Sequence, residues 1–179
     1  MKDLTEETFP LPIEQAYEKL KGILLREKCE IIEEKSAEYI LIRQGSLDGF
    51  LPRSAKKMVK FHLYGQGAET KITTSTEIAS DWTNLTVLGN IAAAVLAGVL
   101  FSIASDIENY VEQGKTGFWT WLATAYGYPD RQRTIFMVNF TRALAIFLTL
   151  MIVVEILIAI YVYRGKDKFA KETLHTLRH

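Results

Sequence analysis

The sequence predicts an α+β N-terminal domain, one helix on a small antiparallel sheet, followed by a transmembrane α-helical hairpin. Three observations carry this. Ala143–Tyr163 is a 21-residue apolar run broken only by Glu155, and a helix needs about 20 apolar residues to cross the hydrocarbon core. Leu85–Ser105 carries no charged residue over the same length. The first 80 residues switch between helical periodicity and strand alternation, which neither long segment does.

Each N-terminal element has a local reason. Leu4–Phe9 reads as a short strand, ended by Pro10 and Pro12, and Pro12 suits the first turn of a helix. From Ile13 to Glu27, Ile13, Ala16, Tyr17, Leu20 and Leu24 recur at helical spacing while Glu14, Glu18, Lys19 and Lys21 face elsewhere. Strands are predicted at Cys29–Glu34 and Tyr39–Gln44, joined by a turn within Lys35–Glu38. In the clearest hairpin, Val59, Phe61 and Leu63 alternate with Lys60, His62 and Tyr64. A turn at Gly65–Gly67 then leads to Thr70–Ile78, rich in Thr and Ile.

The segments Phe9–Leu20 (FPLPIEQAYEKL) and Lys60–Ile78 (KFHLYGQGAETKITTSTEI) give the N-terminal part a faint similarity to the helix-grip (Bet v 1/START-like) family. The resemblance covers at most residues 1–80, or 1–113 with the next helix. It implies an antiparallel sheet gripping a long C-terminal helix, and with it a domain that holds a lipid or other hydrophobic ligand. Two strands of the family's usual number are missing, and no functional residue is carried over.

Charge distribution orders the rest. The 21 basic and 21 acidic residues cancel overall, which leaves no domain-wide basic excess for nucleic acid. The sequence divides into a cytosolic α+β domain (1–80), a first transmembrane helix (85–105), an aromatic-rich extracytoplasmic connection (106–134), a second transmembrane helix (138–163) and a basic cytosolic tail (164–179). Leu85–Ser105 is Ala- and Gly-rich and contains Asn90, so its alternative is a buried helix lying across the sheet. Basic residues decide for the hairpin. Arg53, Lys56, Lys57 and Lys60 precede it, and Arg164, Lys166, Lys168, Lys171 and Arg178 follow it. The connection has only Lys115, Arg131 and Arg133. The positive-inside rule then puts both termini in the cytoplasm of a multi-pass cell-membrane protein. Met1 is followed by charged residues rather than an apolar stretch, so no cleavable signal peptide is expected. The single cysteine, Cys29, excludes an internal disulfide and suits a reducing compartment.

Within the spans, Asn90, Ala94, Gly98, Ser102 and Asp106 recur every four residues. Such a stripe of small side chains lets two helices approach closely. Glu155 is an ionisable group at depth, which marks a buried partner, a pathway or an interface. Counted at 1.5 Å per residue, Glu155 lies about 12 Å inside, within reach of Asn90, and Arg142 lies level with Asp106. A rotation of about 220° separates Arg142 from Glu155 on a straight helix, so only one of them is expected to face the first span. Trp119, Trp121, Tyr126 and Tyr128 form an outer aromatic belt and Tyr161 and Tyr163 an inner one. Arg164, Lys166 and Lys168 complete the inner interface by attraction to anionic headgroups. The tail is expected to run as an amphipathic helix with Phe169, Leu174 and Leu177 at the membrane.

No His, Cys or carboxylate cluster has metal-ligand spacing, and no phosphate loop, nucleophile elbow or triad is present. The expected protein is not an enzyme and has no metal and no cofactor. Its partners are the lipid bilayer and a membrane protein or second copy, packed through the spans as an accessory or scaffold subunit. A membrane-tethered domain binding a lipid is the alternative. A proton path through Glu155 would need further ionisable groups that the spans lack.

Overall fold

A computed structural model describes residues 5–125 and 130–178. The elements run β1 (Thr5–Phe9), α1 (Ile13–Arg26), β2 (Glu30–Lys35), β3 (Tyr39–Gln44), β4 (Lys57–Gln66), β5 (Glu69–Ile78), α2 (Ser80–Gln113), α3 (Trp121–Thr124), α4 (Arg131–Arg164) and α5 (Lys168–Arg178). They form two units: residues 1–85 with 158–179, and residues 86–157.

In the first unit the five strands make one antiparallel sheet in the order β1-β5-β4-β3-β2. Strand alternation sends Val59, Phe61 and Leu63 to one face, and Ile40, Ile42, Ile72 and Phe9 join them there. The opposite face pairs Lys60 with Ser75, His62 with Thr73 and Tyr64 with Lys71 across β4 and β5. Both edge strands are short and acidic: β1 carries Glu6 and Glu7, and β2 carries Glu30, Glu33 and Glu34. Charged edges of this kind discourage pairing with another chain. The β4–β5 hairpin turns on Gly67 and Ala68 between the paired Gln66 and Glu69, with Gly67 at a φ of +69°. That angle at the first turn position is the type II′ geometry that glycine favours, and it places the turn at the end of the expected Gly65–Gly67 stretch, with Gly65 and Gln66 still paired in β4.

α1 buries Ala16, Tyr17, Leu20, Ile23 and Leu24 against the sheet's inner face. It ends with Lys28 at a φ of +56°. The Cys29 amide bonds to the Leu24 carbonyl and the Lys28 amide to Leu25. This paired closure usually takes glycine at the left-handed position.

The tail corrects its expected place. α5 is amphipathic, but Phe169, Ala170, Leu174 and Leu177 are buried in the same core as α1 and the sheet rather than at a membrane surface. Lys19 on α1 donates to the Leu177 carbonyl at 2.9 Å, where a cation complements the helix C-terminus. Each large apolar side chain buried this way contributes about 2 kcal/mol. Three of them reach about 6 kcal/mol, comparable with the whole net stability of a small domain. α5 is thus a structural part of the domain, and the boundary expected at residue 80 is replaced by one that gathers both ends of the chain.

α2 and α4 are each long and apolar enough to cross a membrane, and both extend past the runs read from sequence. In their most apolar stretches only 11% and 6% of residues are buried. α2 is therefore not the buried helix across the sheet that its composition also allowed.

Leu174→Ala should lower the unfolding free energy of the first unit by about 2–4 kcal/mol, as for other fully buried leucines. Denaturant unfolding of the full chain, followed in the first unit, checks this. An unchanged midpoint would mean that α5 lies outside the domain.

Candidate functional site

The second unit holds most of the residues that the sequence singles out. On α2 the less exposed positions include Asn90, Ala93, Ala97, Leu100, Ala104 and Ile107; on α4 they include Thr134, Val138, Thr141, Ala145, Leu148 and Ile152. Both sets advance by alternating steps of three and four. That is a heptad seam, the pattern of helices packed at a shallow angle. Ala104, Ile107 and Val138 form its buried end next to the connector, with Ile103, Leu122 and Ala123 against them.

The expected four-residue stripe lies beside this line rather than on it. Of its members only Asn90 belongs to the seam, while Ala94, Gly98 and Ser102 are exposed. The structure also corrects the phase argument. Asn90 Nδ2 donates to Glu155 Oε2 at 2.9 Å and to the Thr86 carbonyl at 2.9 Å. Arg142 pairs with Glu108, two residues from the expected Asp106. Both α4 residues thus reach α2. The straight-helix count drifts by about 20° per heptad against a 3.5-residue seam. In heptad register Glu155 continues the line from Ala145, Leu148 and Ile152, and Arg142 flanks Thr141. The arginine's length covers the remainder.

Asp106 has a different task. Its Oδ2 accepts the Trp119 backbone amide at 3.0 Å, and a Cβ on Gly117 would collide with its carboxylate. Trp119 Nε1 donates to Ser102 Oγ at 3.2 Å, and its ring meets Phe118 edge to face at 4.8 Å. Trp119 is thereby folded back onto α2 instead of standing free in a belt. Trp121 and Phe118 remain exposed. Tyr126 and Tyr128, also expected in the belt, lie outside the described residues.

In the first unit, Tyr161 and Tyr163 are exposed at the end of α4. The Tyr163 hydroxyl shares a 2.7 Å hydrogen bond with Thr83 Oγ1. Arg164 and Lys168 are exposed and Lys166 is half-buried. The basic residues before α2 are less free than expected. Lys56 pairs with Asp81, Arg53 pairs with Glu27 and Glu172, and Lys60 lies 4.5 Å from the Tyr39 ring centre.

Lys57 is the largest departure, because it is fully buried. It shares strand parity with Val59, Phe61 and Leu63, so alternation carries it into the core; that signal was legible in the sequence. Its amine donates to the Pro52 carbonyl and lies 5.8 Å from the Phe169 ring centre. Burial lowers its pKa to about 8, against the opposing pull of Asp167 and Glu172. Burial also pushes the neighbouring Cys29 thiol up to about 11, which makes it a poor nucleophile at neutral pH. A cavity of about 190 Å³ adjoins this region, lined by Ile23, Glu27, Arg53, Phe169, Glu172, Thr173 and Thr176. Among the described residues no group of three or more His, Cys, Asp or Glu side chains is placed to hold a metal ion.

The Lys57 environment gives a signed pH dependence. Below about pH 8 the folded and unfolded chains both hold the proton, and the cost of burying the charge is present in full. Between that value and the ordinary lysine value near 10.4, only the unfolded chain holds it, so stability rises with pH. From pH 7.5 to 10 the wild type should gain about 2.4 kcal/mol relative to Lys57→Met. Paired denaturation curves at the two pH values check this, and a constant difference would contradict it.

No protein-family model matches the chain, and no curated protein and no solved structure matches it either.

Proposed function

We propose that this chain is a non-catalytic integral membrane protein, an accessory or scaffold subunit that packs through its spanning helices against a membrane-protein partner or a second copy of itself. The observation that carries this reading is the line of small side chains that the hairpin leaves open on α2. Ala94 and Gly98 are exposed beside the less exposed line through Ala93, Ala97, Leu100 and Ala104, while Ser102, at the next position of the stripe, accepts the Trp119 indole N–H. Small residues at four-residue spacing let a further backbone come close, and interhelical hydrogen bonds then hold it. Glu155, also exposed, supplies a polar group in the middle of the span.

The bilayer itself is supported by the side chains around the seam. Val87, Leu88, Ile91, Val95, Phe140, Phe147, Leu150 and Leu157 are all exposed. Soluble monomers rarely carry contiguous apolar surface beyond a few hundred Å². The core position of α5 supports an even number of crossings, since a helix folded into the domain of β1–β5 must lie on the same side of a membrane as those strands. The basic residues Arg164, Lys166 and Lys168 favour the cytoplasm as that side.

The lipid-binding alternative has less support. α1 and α5 fill the sheet's inner face, and the cavity of about 190 Å³ has Glu27, Arg53 and Glu172 on its lining. Sites for drug-sized ligands run to about 300–1,000 Å³ and are mostly apolar.

Gly98→Leu should dissociate the complex purified in mild detergent and leave the hairpin intact, because Gly98 faces away from the seam. Light scattering of the wild type and variant reads the mass. A wild type that is monomeric and free of any stoichiometric partner would contradict the scaffold reading.

A further inference from the structure

Between β3 and β4 the chain folds into a compact loop that its sequence leaves unexplained. Ser46 N bonds to the Ser54 carbonyl at 2.8 Å, Lys56 N to the Ser46 carbonyl at 3.0 Å, and Ala55 N to the Leu51 carbonyl at 2.8 Å. Gly45 has a φ of +86°, and a Cβ on Gly49 would strike the Ser54 carbonyl. The backbone is thus built for this shape, yet its tip turns Leu47, Phe50 and Leu51 outward at 44%, 65% and 59% exposure. A preorganised loop that presents three large apolar side chains has an outside partner to meet.

Its position identifies that partner. Trp82, in the first turns of α2, donates its indole N–H to the Gly49 carbonyl at 3.2 Å. The same ring is buried with Ala55 and with Val162 near the end of α4. Pro52 lies against Gly165, and Lys56 pairs with Asp81. The loop is clamped between the roots of both long helices. Leu85, the first exposed apolar residue of α2, is three residues beyond Trp82, about 4.5 Å along the axis. Tyr161 and Tyr163 mark the same level on α4.

We propose that Leu47, Phe50 and Leu51 are a third membrane contact, inserted at the headgroup–acyl boundary of the leaflet from which the hairpin departs. The proposal rests on the reading of α2 and α4 as spans. The attraction is apolar rather than electrostatic, because Lys56 is paired with Asp81 and Arg53 with Glu27 and Glu172. Asp48, at the tip, is held ionised by its hydrogen bonds to Ser46 and to its own backbone. A hydrated carboxylate beside Phe50 limits the depth to the boundary. Insertion therefore needs no anionic lipid, unlike attachment by a polybasic segment.

The test uses the full chain with Cys29→Ala, reconstituted into vesicles of phosphatidylcholine alone. Single nitroxides are placed by Phe50→Cys, Leu51→Cys, Gly67→Cys and Phe147→Cys, and their collisions with oxygen and with a water-soluble nickel chelate are compared. The expected result is oxygen-favoured collision at 50, 51 and 147 and nickel-favoured collision at 67, with nickel accessibility at 50 several-fold below that at 67. Nickel-favoured collision at 50 and 51 with position 147 in lipid would overturn the loop contact alone. Nickel-favoured collision at 147 as well would overturn the membrane reading, and the loop contact with it.

Discussion

The burial of Phe169, Leu174 and Leu177 against α1 and the sheet joins the last helix of the chain to its first strands. This contact is worth about as much as the net stability of a small domain, so the sheet and α5 form together or not at all. The segment between them must start and finish at the same domain. If that segment crosses a membrane, as proposed, a single crossing cannot satisfy the condition, whereas two antiparallel helices can. Much of the chain's organisation follows from one amphipathic helix having its apolar face covered by protein.

On the proposed membrane reading, the hairpin uses different physics. An apolar side chain in hydrocarbon gains little by leaving lipid, so packing and hydrogen bonds would hold the helices. Ala97, Ala104 and Ala145 are buried and Ala93 is half-buried along the heptad lines of the two helices. The Asn90–Glu155 hydrogen bond and the Arg142–Glu108 pair add polar contacts at two heights. At the far end Asp106 and Gly117 fix the connector by close approach. Residues that look alike in composition thus have separate tasks. Ala97 is buried, and Gly98 beside it is exposed.

Local pattern was readable where local physics decides. Alternation located β3, whose limits Tyr39–Gln44 are as expected, and helical spacing located α1. Lys57 was misplaced because its charge was weighed above its parity with Val59, and burial in fact follows parity. The apolar stripe of α5 was visible, but amphipathicity does not say whether lipid or protein covers it. The reach between Asn90 and Glu155 was legible from depth, whereas the heptad line on α2 was not. An Ala- and Gly-rich helix offers a four-residue line and a heptad line at once, and only the partner helix selects between them. The role of Asp106 depends on a connector that approaches it through Gly117, which no spacing along α2 encodes.

The most direct test of the account is the sidedness of three positions. Single cysteines at Gly67, Lys115 and Lys168, in a Cys29→Ala chain, would be labelled in intact and permeabilised cells with an impermeant maleimide. Positions 67 and 168 should react only after permeabilisation, and position 115 should react in intact cells. Opposite behaviour of 67 and 168 would contradict it, because a domain built from both ends of the chain cannot be divided by a membrane.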